Sequence, residues 1–230
     1  MNLKKPKFWD FKKPNIYAYI LLPIAVFLQS LKLFKNKSKT KLKIKTICVG
    51  HIYLGGTGKT SLSIKINKLL AQKNIKSCFI KKFYKDQIDE QKLLSSNGKL
   101  FNSQTRLEAL RQAEKENYEV AILDDGLQDK SIYHNLSFIC INNISWIGNG
   151  LTIPAGPLRE KLSVLKNYTH VFLNGNLENL ENIINKLKTI NPNLIVHLGK
   201  YEPINLDQFS AKDKYIVFSG IGNHDTFISM

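Results

Sequence analysis

The sequence predicts a three-layer α/β fold with a mostly parallel sheet, preceded by an apolar, lysine-rich N-terminal helix. Short apolar runs at 44–50, 77–80, 119–125, 137–142, 170–175, 193–199 and 214–220 are separated by stretches of helical spacing. Runs that are apolar throughout, rather than alternating, suit strands covered by helices on both faces. The first run feeds straight into a glycine-rich loop and then an apolar-periodic segment. Charge is concentrated at the amino end. Residues 1–45 hold twelve lysines and one acid, Asp10, whereas the remaining 185 carry 22 bases against 17 acids.

With 230 residues, 43% of them hydrophobic, the chain can bury a core, and disorder is excluded as a class. Cys48, Cys78 and Cys140 lie in apolar runs without paired or metal-like spacing. That excludes a disulfide scaffold and a cysteine-based zinc site, and it fits a reducing compartment. The division read from composition is a leader over 1–43 and a body over 44–230, with 193–230 beginning a further lobe.

Within the leader, 14–31 (PNIYAYILLPIAVFLQSL) is free of charge. As a straight helix it would reach ~27 Å, short of a hydrocarbon core of ~30 Å. Pro23, in its middle, is expected to kink or split it. No small-residue cleavage site follows, so a signal peptide does not fit. Both flanks are basic, which suits a helix or helical hairpin lying in one leaflet, its ends held at anionic headgroups. The alternative is a buried N-terminal helix. Lysines at 35, 37, 39, 41, 43 and 45 occupy alternate positions, so an extended chain would project all six from one face toward phosphates; a solvated linker is the other reading. Nucleic acid is not the expected partner, because aromatics are not interleaved with these lysines.

The body opens with a β-branched run at 44–50, ending in glycine. Helical spacing at 60–73 follows, then a short strand at 77–80. A charged helical stretch spans 105–117, the strand at 119–125 ends in two aspartates, and 178–188 is an amphipathic helix between the strands at 170–175 and 193–199.

The loop GHIYLGGTGKTS (50–61) departs from the phosphate-loop pattern G-x-x-x-x-G-K-[ST] only in having Tyr53 where the first glycine belongs. Gly55, Gly56, Thr57, Gly58, Lys59 and Thr60 complete it. Backbone N–H groups released by such glycines close around phosphate oxygens, and the following helix adds its positive N-terminal end. Lys59 is expected at the β- and γ-phosphates and the Thr60 hydroxyl on Mg²⁺. EVAILDDG places Asp124 and Asp125 at the carboxyl tip of a buried strand, where parallel sheets present ligands, and one of them is expected to hold the metal or its water. Aspartates before glycine also form ordinary turns. No guanine-reading NKxD sequence occurs, so ATP is the expected nucleotide. The fold class expected is therefore a P-loop NTPase.

The apolar leader, VGHIYLGGTGKTS, LDDGLQD and GNGLTIPAGPLRE (148–160), in that order, resemble the tetraacyldisaccharide 4′-kinase family, the lipid A kinases of Gram-negative bacteria. The resemblance extends to FSGIGNHDTF (218–227), essentially the whole chain. It implies transfer of the γ-phosphate of MgATP to the 4′-hydroxyl of tetraacyldisaccharide 1-phosphate, giving lipid IVA at the cytoplasmic face of the inner membrane. A monomer bound to anionic lipid through its leader is expected. Carried over, Lys59 and Thr60 match the phosphate-loop pair, Asp124 and Asp125 the acidic doublet, and Gln128 the glutamine after it. Asp89 resembles the family's catalytic base, a group that need only accept the hydroxyl proton; a helix cap is its structural alternative. Arg159 and Glu160 match the PLRE motif, with Arg159 expected on phosphate or sugar and a structural salt bridge as the alternative.

Departures are specific. His51 replaces an asparagine, Asp129 a histidine, and Lys82-Phe83-Tyr84 the family's R-G-Y, while the stretch before Asp89 is shortened. Family members continue into an FPDHH-like segment whose histidine supports the catalytic aspartate, so a C-terminally shortened chain is expected. Two other readings stay open: a catalytically impaired nucleotide-binding relative, and a membrane-associated P-loop ATPase.

Overall fold

The computed structural model describes residues 5–33, 38–178, 180–200, 205–210, 212–216 and 228. Seven strands form one parallel sheet: β1 (Lys45–His51), β2 (Ser77–Lys82), β3 (Leu100–Ser103), β4 (Val120–Asp124), β5 (Leu136–Asn142), β6 (His170–Gly175) and β7 (Ile195–Lys200). Their order is β3-β2-β4-β1-β5-β6-β7, which puts β1 at the centre and β4 and β5 on either side of it.

Alternate residues of the central strands point to opposite faces, and both faces are buried. Cys48, Ile80, Leu123, Ile139 and Ile141 pack on one side with Ala109, Leu110 and Ala113 of α4 (Arg106–Lys115) and Leu187 of α5 (Leu180–Ile190). Val49, Phe79, Ile122 and Cys140 pack on the other with Leu62 of α2 (Lys59–Gln72) and Leu94 of α3 (Ile88–Ser95). These are the three expected layers. The cysteines are free and buried, and burial pushes the Cys78 thiol up to about 12, so all three serve as small apolar core residues.

Local chemistry sets several ends. Thr105 and Glu108 form a reciprocal capping box on α4. Gly58, at φ 74, turns the chain into α2 in the left-handed region that side chains with a Cβ adopt at a cost. The N-terminal helix α1 (Ile16–Leu33) begins over Asn15, whose Oδ1 accepts from Ala18 N at 3.1 Å.

The structure bears on four expectations. Pro23 lies inside α1 without splitting it. α3 and β3 follow β2 where only a cap was read; β3 is a four-residue edge strand with Phe101 its single buried residue, too short to show as an apolar run. Of the strand expected at 214–220, residues 214–216 carry no strand, and 217–220 lie outside the described residues. The segment from 193, expected to open a further lobe, contributes β7 to this sheet. Among the described residues no helix is long and apolar enough to cross a membrane.

Candidate functional site

The glycine-rich loop joins the carboxyl end of β1 to the N-terminus of α2, at the centre of the sheet. Gly55 at φ 144 and Gly58 at φ 74 bend its backbone. Asn174, at the tip of β6, donates from Nδ2 to the Thr57 carbonyl at 3.0 Å. Thr57 is buried, and its hydroxyl has no hydrogen-bond partner among the described residues.

Tyr53, in place of the first glycine, is buried. Its hydroxyl donates to Asp10 Oδ1 at 2.9 Å and accepts from Lys5 Nζ at 2.6 Å. The tyrosine thus ties the leader to the loop. The block resembling PLRE runs beside the same segment: Leu54 N donates to Pro157 O at 2.8 Å and Arg159 N to Ile52 O at 2.6 Å. Trp9 Nε1 donates to Pro154 O at 3.0 Å, Asn149 N to Trp9 O at 3.0 Å, and Gln29 Nε2 of α1 to Arg159 O at 3.2 Å. The leader is therefore seated on the site.

Asp124 and Asp125, adjacent in sequence, enter different networks. Asp124 ends β4 fully buried, with Thr60 Oγ1 at 3.4 Å and Lys81 Nζ at 2.9 Å from Oδ2, and Ser63 Oγ at 3.2 Å from Oδ1. Lys81 Nζ also meets Glu90 Oε2 at 2.5 Å, and Glu90 Oε1 meets Lys59 Nζ at 3.0 Å. A chain Lys59–Glu90–Lys81–Asp124 crosses the floor of the site. Burial alone would lower Lys81, yet the carboxylates of Asp124 and Glu90 outweigh it and hold the ammonium above its ordinary value. Burial likewise opposes Glu90, but the two lysines keep its carboxyl below the usual range.

Asp125 leaves the strand at φ 60 and turns the other way. Arg159 Nη1 lies 2.9 and 3.1 Å from its two carboxylate oxygens and 3.2 Å from Gln128 Oε1. His51 Nε2 lies 3.2 Å from Asp125 Oδ1, while Gln128 Nε2 donates to the His51 carbonyl at 3.1 Å. Burial would raise Asp125; the His51 contact and the charges of Arg159 and Lys59 overcome it and hold the carboxyl far below the usual range. Burial keeps His51 below its ordinary value, so it is neutral at pH 7. Arg106 Nη2 donates to the Asp125 carbonyl at 2.6 Å, fixing the turn from behind.

The structure thus brings Lys59, Thr60 and Asp124 together, and separately Asp125, Gln128 and Arg159. Asp89 is exposed in the first turn of α3, one residue before Glu90, and its carboxylate forms no hydrogen bond or ion pair among the described residues. Glu160 is half-buried beyond Arg159. Sequence reasoning missed Lys81, Glu90, Ser63 and Arg106, and saw His51 only as a departure. The available signal for Lys81 was a lysine pair closing an apolar run; Glu90 had none beyond its place beside Asp89.

A family profile described as Tetraacyldisaccharide-1-P 4′-kinase matches residues 17–99 and 89–230. The chain is 57% identical over 231 residues to the tetraacyldisaccharide 4′-kinase of Pelagibacter ubique (strain HTCC1062), covering 100% of this chain and 74% of that relative. It is 32% identical over 248 residues to that of Rickettsia canadensis (strain McKiel), with the same shares covered. In fold it is similar to the crystal structure of LpxK from Aquifex aeolicus in complex with ATP, at TM-score 0.55 and 19% identity, covering 87% of this chain and 84% of that one.

Proposed function

The chain belongs to the tetraacyldisaccharide 4′-kinase family and is a kinase; on that premise we propose that it transfers the γ-phosphate of MgATP to the 4′-hydroxyl of tetraacyldisaccharide 1-phosphate, giving lipid IVA at the cytoplasmic face of the bacterial inner membrane. The observation that carries this reading is Lys59 and Thr60 at the start of α2, beside the buried Asp124 carboxylate.

The loop amides from Gly55 to Thr60 would cup the triphosphate, with the N-terminal end of α2 contributing about half a positive charge. Lys59 would exchange Glu90 for the β- and γ-phosphates. A hydroxyl and a buried carboxylate facing each other, Thr60 and Asp124, are hard oxygen donors of the kind Mg²⁺ takes, so the residues fit that ion. When bound, Mg²⁺ neutralises phosphate charge. Asp125, held ionised by the His51 contact and the charges of Arg159 and Lys59, would complete the acidic side of the pocket, and Arg159 with Gln128 and Glu160 would meet the acceptor's sugar head. Asp89, exposed on α3, is free to accept the proton of the 4′-hydroxyl.

Membrane placement is supported by α1. Ala18 and Ala25 are buried, while Ile16, Tyr17, Tyr19, Ile20, Ile24, Val26, Phe27, Leu28 and Leu31 are exposed. A helix that leaves most of its apolar side chains in water marks an interaction surface. Behind it, Lys39, Lys41, Lys43 and Lys45 are all exposed, and the intervening Leu42 and Ile44 pack inward. Four of the six lysines thus alternate with less exposed residues, as the row reading expects; Lys35 and Lys37 lie outside the described residues.

The purified chain, given γ-labelled ATP, MgCl₂ and tetraacyldisaccharide 1-phosphate in mixed micelles, is expected to label the lipid at its 4′ position. Labelled inorganic phosphate without labelled lipid would turn the reading to a membrane ATPase. ATP binding with neither product would turn it to an impaired relative.

A further inference from the structure

Resting on the reading that the loop binds ATP, we propose that Lys81 is a positioning residue that holds Glu90 so that Lys59 can be handed to the triphosphate. Glu90 gives one oxygen to each lysine, at 3.0 Å to Lys59 and 2.5 Å to Lys81. The two lysines differ in freedom. Lys59 sits on the loop with its side chain 13% exposed, whereas Lys81 is 1% exposed on β2, between β4 and β3, and pinned to Asp124. One contact to Glu90 is therefore exchangeable and the other is permanent.

The consequence reaches α3. Leu94, near the helix's far end, is its one buried apolar anchor, while the first turn carries Asp89 and Glu90. Once Lys59 turns to phosphate, the contact between Glu90 and Lys81 keeps that turn, and with it Asp89, beside the nucleotide. Without Lys81, Glu90 would have Lys59 as its sole cation and would compete with ATP for it. With two cations and two carboxylates the chain is neutral, so the arrival of a polyanion releases Lys59 without stranding Glu90.

Calorimetry of the full chain with a hydrolysis-resistant ATP analogue and MgCl₂ tests this. Glu90→Gln frees Lys59 and tightens binding about fivefold. Lys81→Met leaves Glu90 to Lys59 and weakens binding about tenfold, and adding Glu90→Gln to it restores affinity to within about threefold of the parent. In a Lys59→Ala background, measured by competition, Glu90→Gln changes nothing. A structural role for Lys81 would not be rescued by removing the charge of Glu90, and a diffuse electrostatic effect would persist without Lys59. The proposal is overturned if Glu90→Gln fails to tighten binding, if its effect survives in Lys59→Ala, or if the double variant stays as weak as Lys81→Met. Should Lys81→Met not fold, the two Glu90→Gln arms decide. Failure of the parent chain to bind the analogue would strike the kinase reading instead.

Discussion

Replacing Arg159 with methionine keeps the volume of its stem and removes the cation facing Asp125. The guanidinium nitrogen contacts both carboxylate oxygens, at 2.9 and 3.1 Å, and the side chains are 25% and 16% exposed. A charge-assisted contact of this kind is worth about 1.5–3 kcal/mol, so a loss of about 2 kcal/mol is expected at pH 7. For a chain of this size that lowers Tm by about 4–8 °C. The effect should depend on pH. Asp125 is held far below its unfolded value of about 3.9, so its contribution is complete above that value and is lost as pH falls through the lower, folded one. Removing Arg159 narrows the distance between the two values, while the His51 contact and the Lys59 charge remain. The stability gap between parent and variant should therefore be constant from about pH 7 to 5 and shrink below about pH 4. Urea unfolding at pH 7, 5 and 3 measures it. A gap as wide at pH 3 as at pH 7 would refute the assignment of Arg159 as a charge that holds Asp125 ionised.

Lys59→Ala should weaken ATP binding about 30- to 100-fold, the loss of charge-assisted contacts to phosphate, with a small change in Tm because Lys81 still serves Glu90; calorimetry and thermal melts check both. Ile20 and Phe27 are 64% and 61% exposed on α1, so Ile20→Glu with Phe27→Glu should leave folding intact. The pair should cut partition onto phosphatidylglycerol vesicles at least about 100-fold, since each apolar side chain withheld from lipid forfeits about 1.5–3 kcal/mol. Co-sedimentation with circular dichroism as the folding control tests it, and undiminished binding would take α1 out of the membrane contact.

The strands of the sheet centre were legible because burial on both faces leaves a run of apolar residues with no competing signal, as in 44–50 and 137–142. The loop was legible because glycines, lysine and threonine at fixed offsets have few other uses. α3 and β3 were not, since a short edge strand and an eight-residue helix bury too little to leave a pattern. The paired reading of Asp124 and Asp125 shows the same limit: a doublet looks like one acidic site until the backbone turns at φ 60 between the two networks.

The sequence alone determined the layered α/β fold, the phosphate loop and the family, because these rest on local spacing and on the order of motifs along the chain. Tertiary structure decided which charges meet. It took Lys81 and Glu90 from separate elements to bridge Lys59 and Asp124, set His51 and Arg159 on Asp125, and laid Lys5 and Asp10 against Tyr53. Hydrophobic periodicity is written in neighbouring residues. A buried ion pair depends on three-dimensional distance and on the exclusion of water, which no stretch of neighbouring residues records.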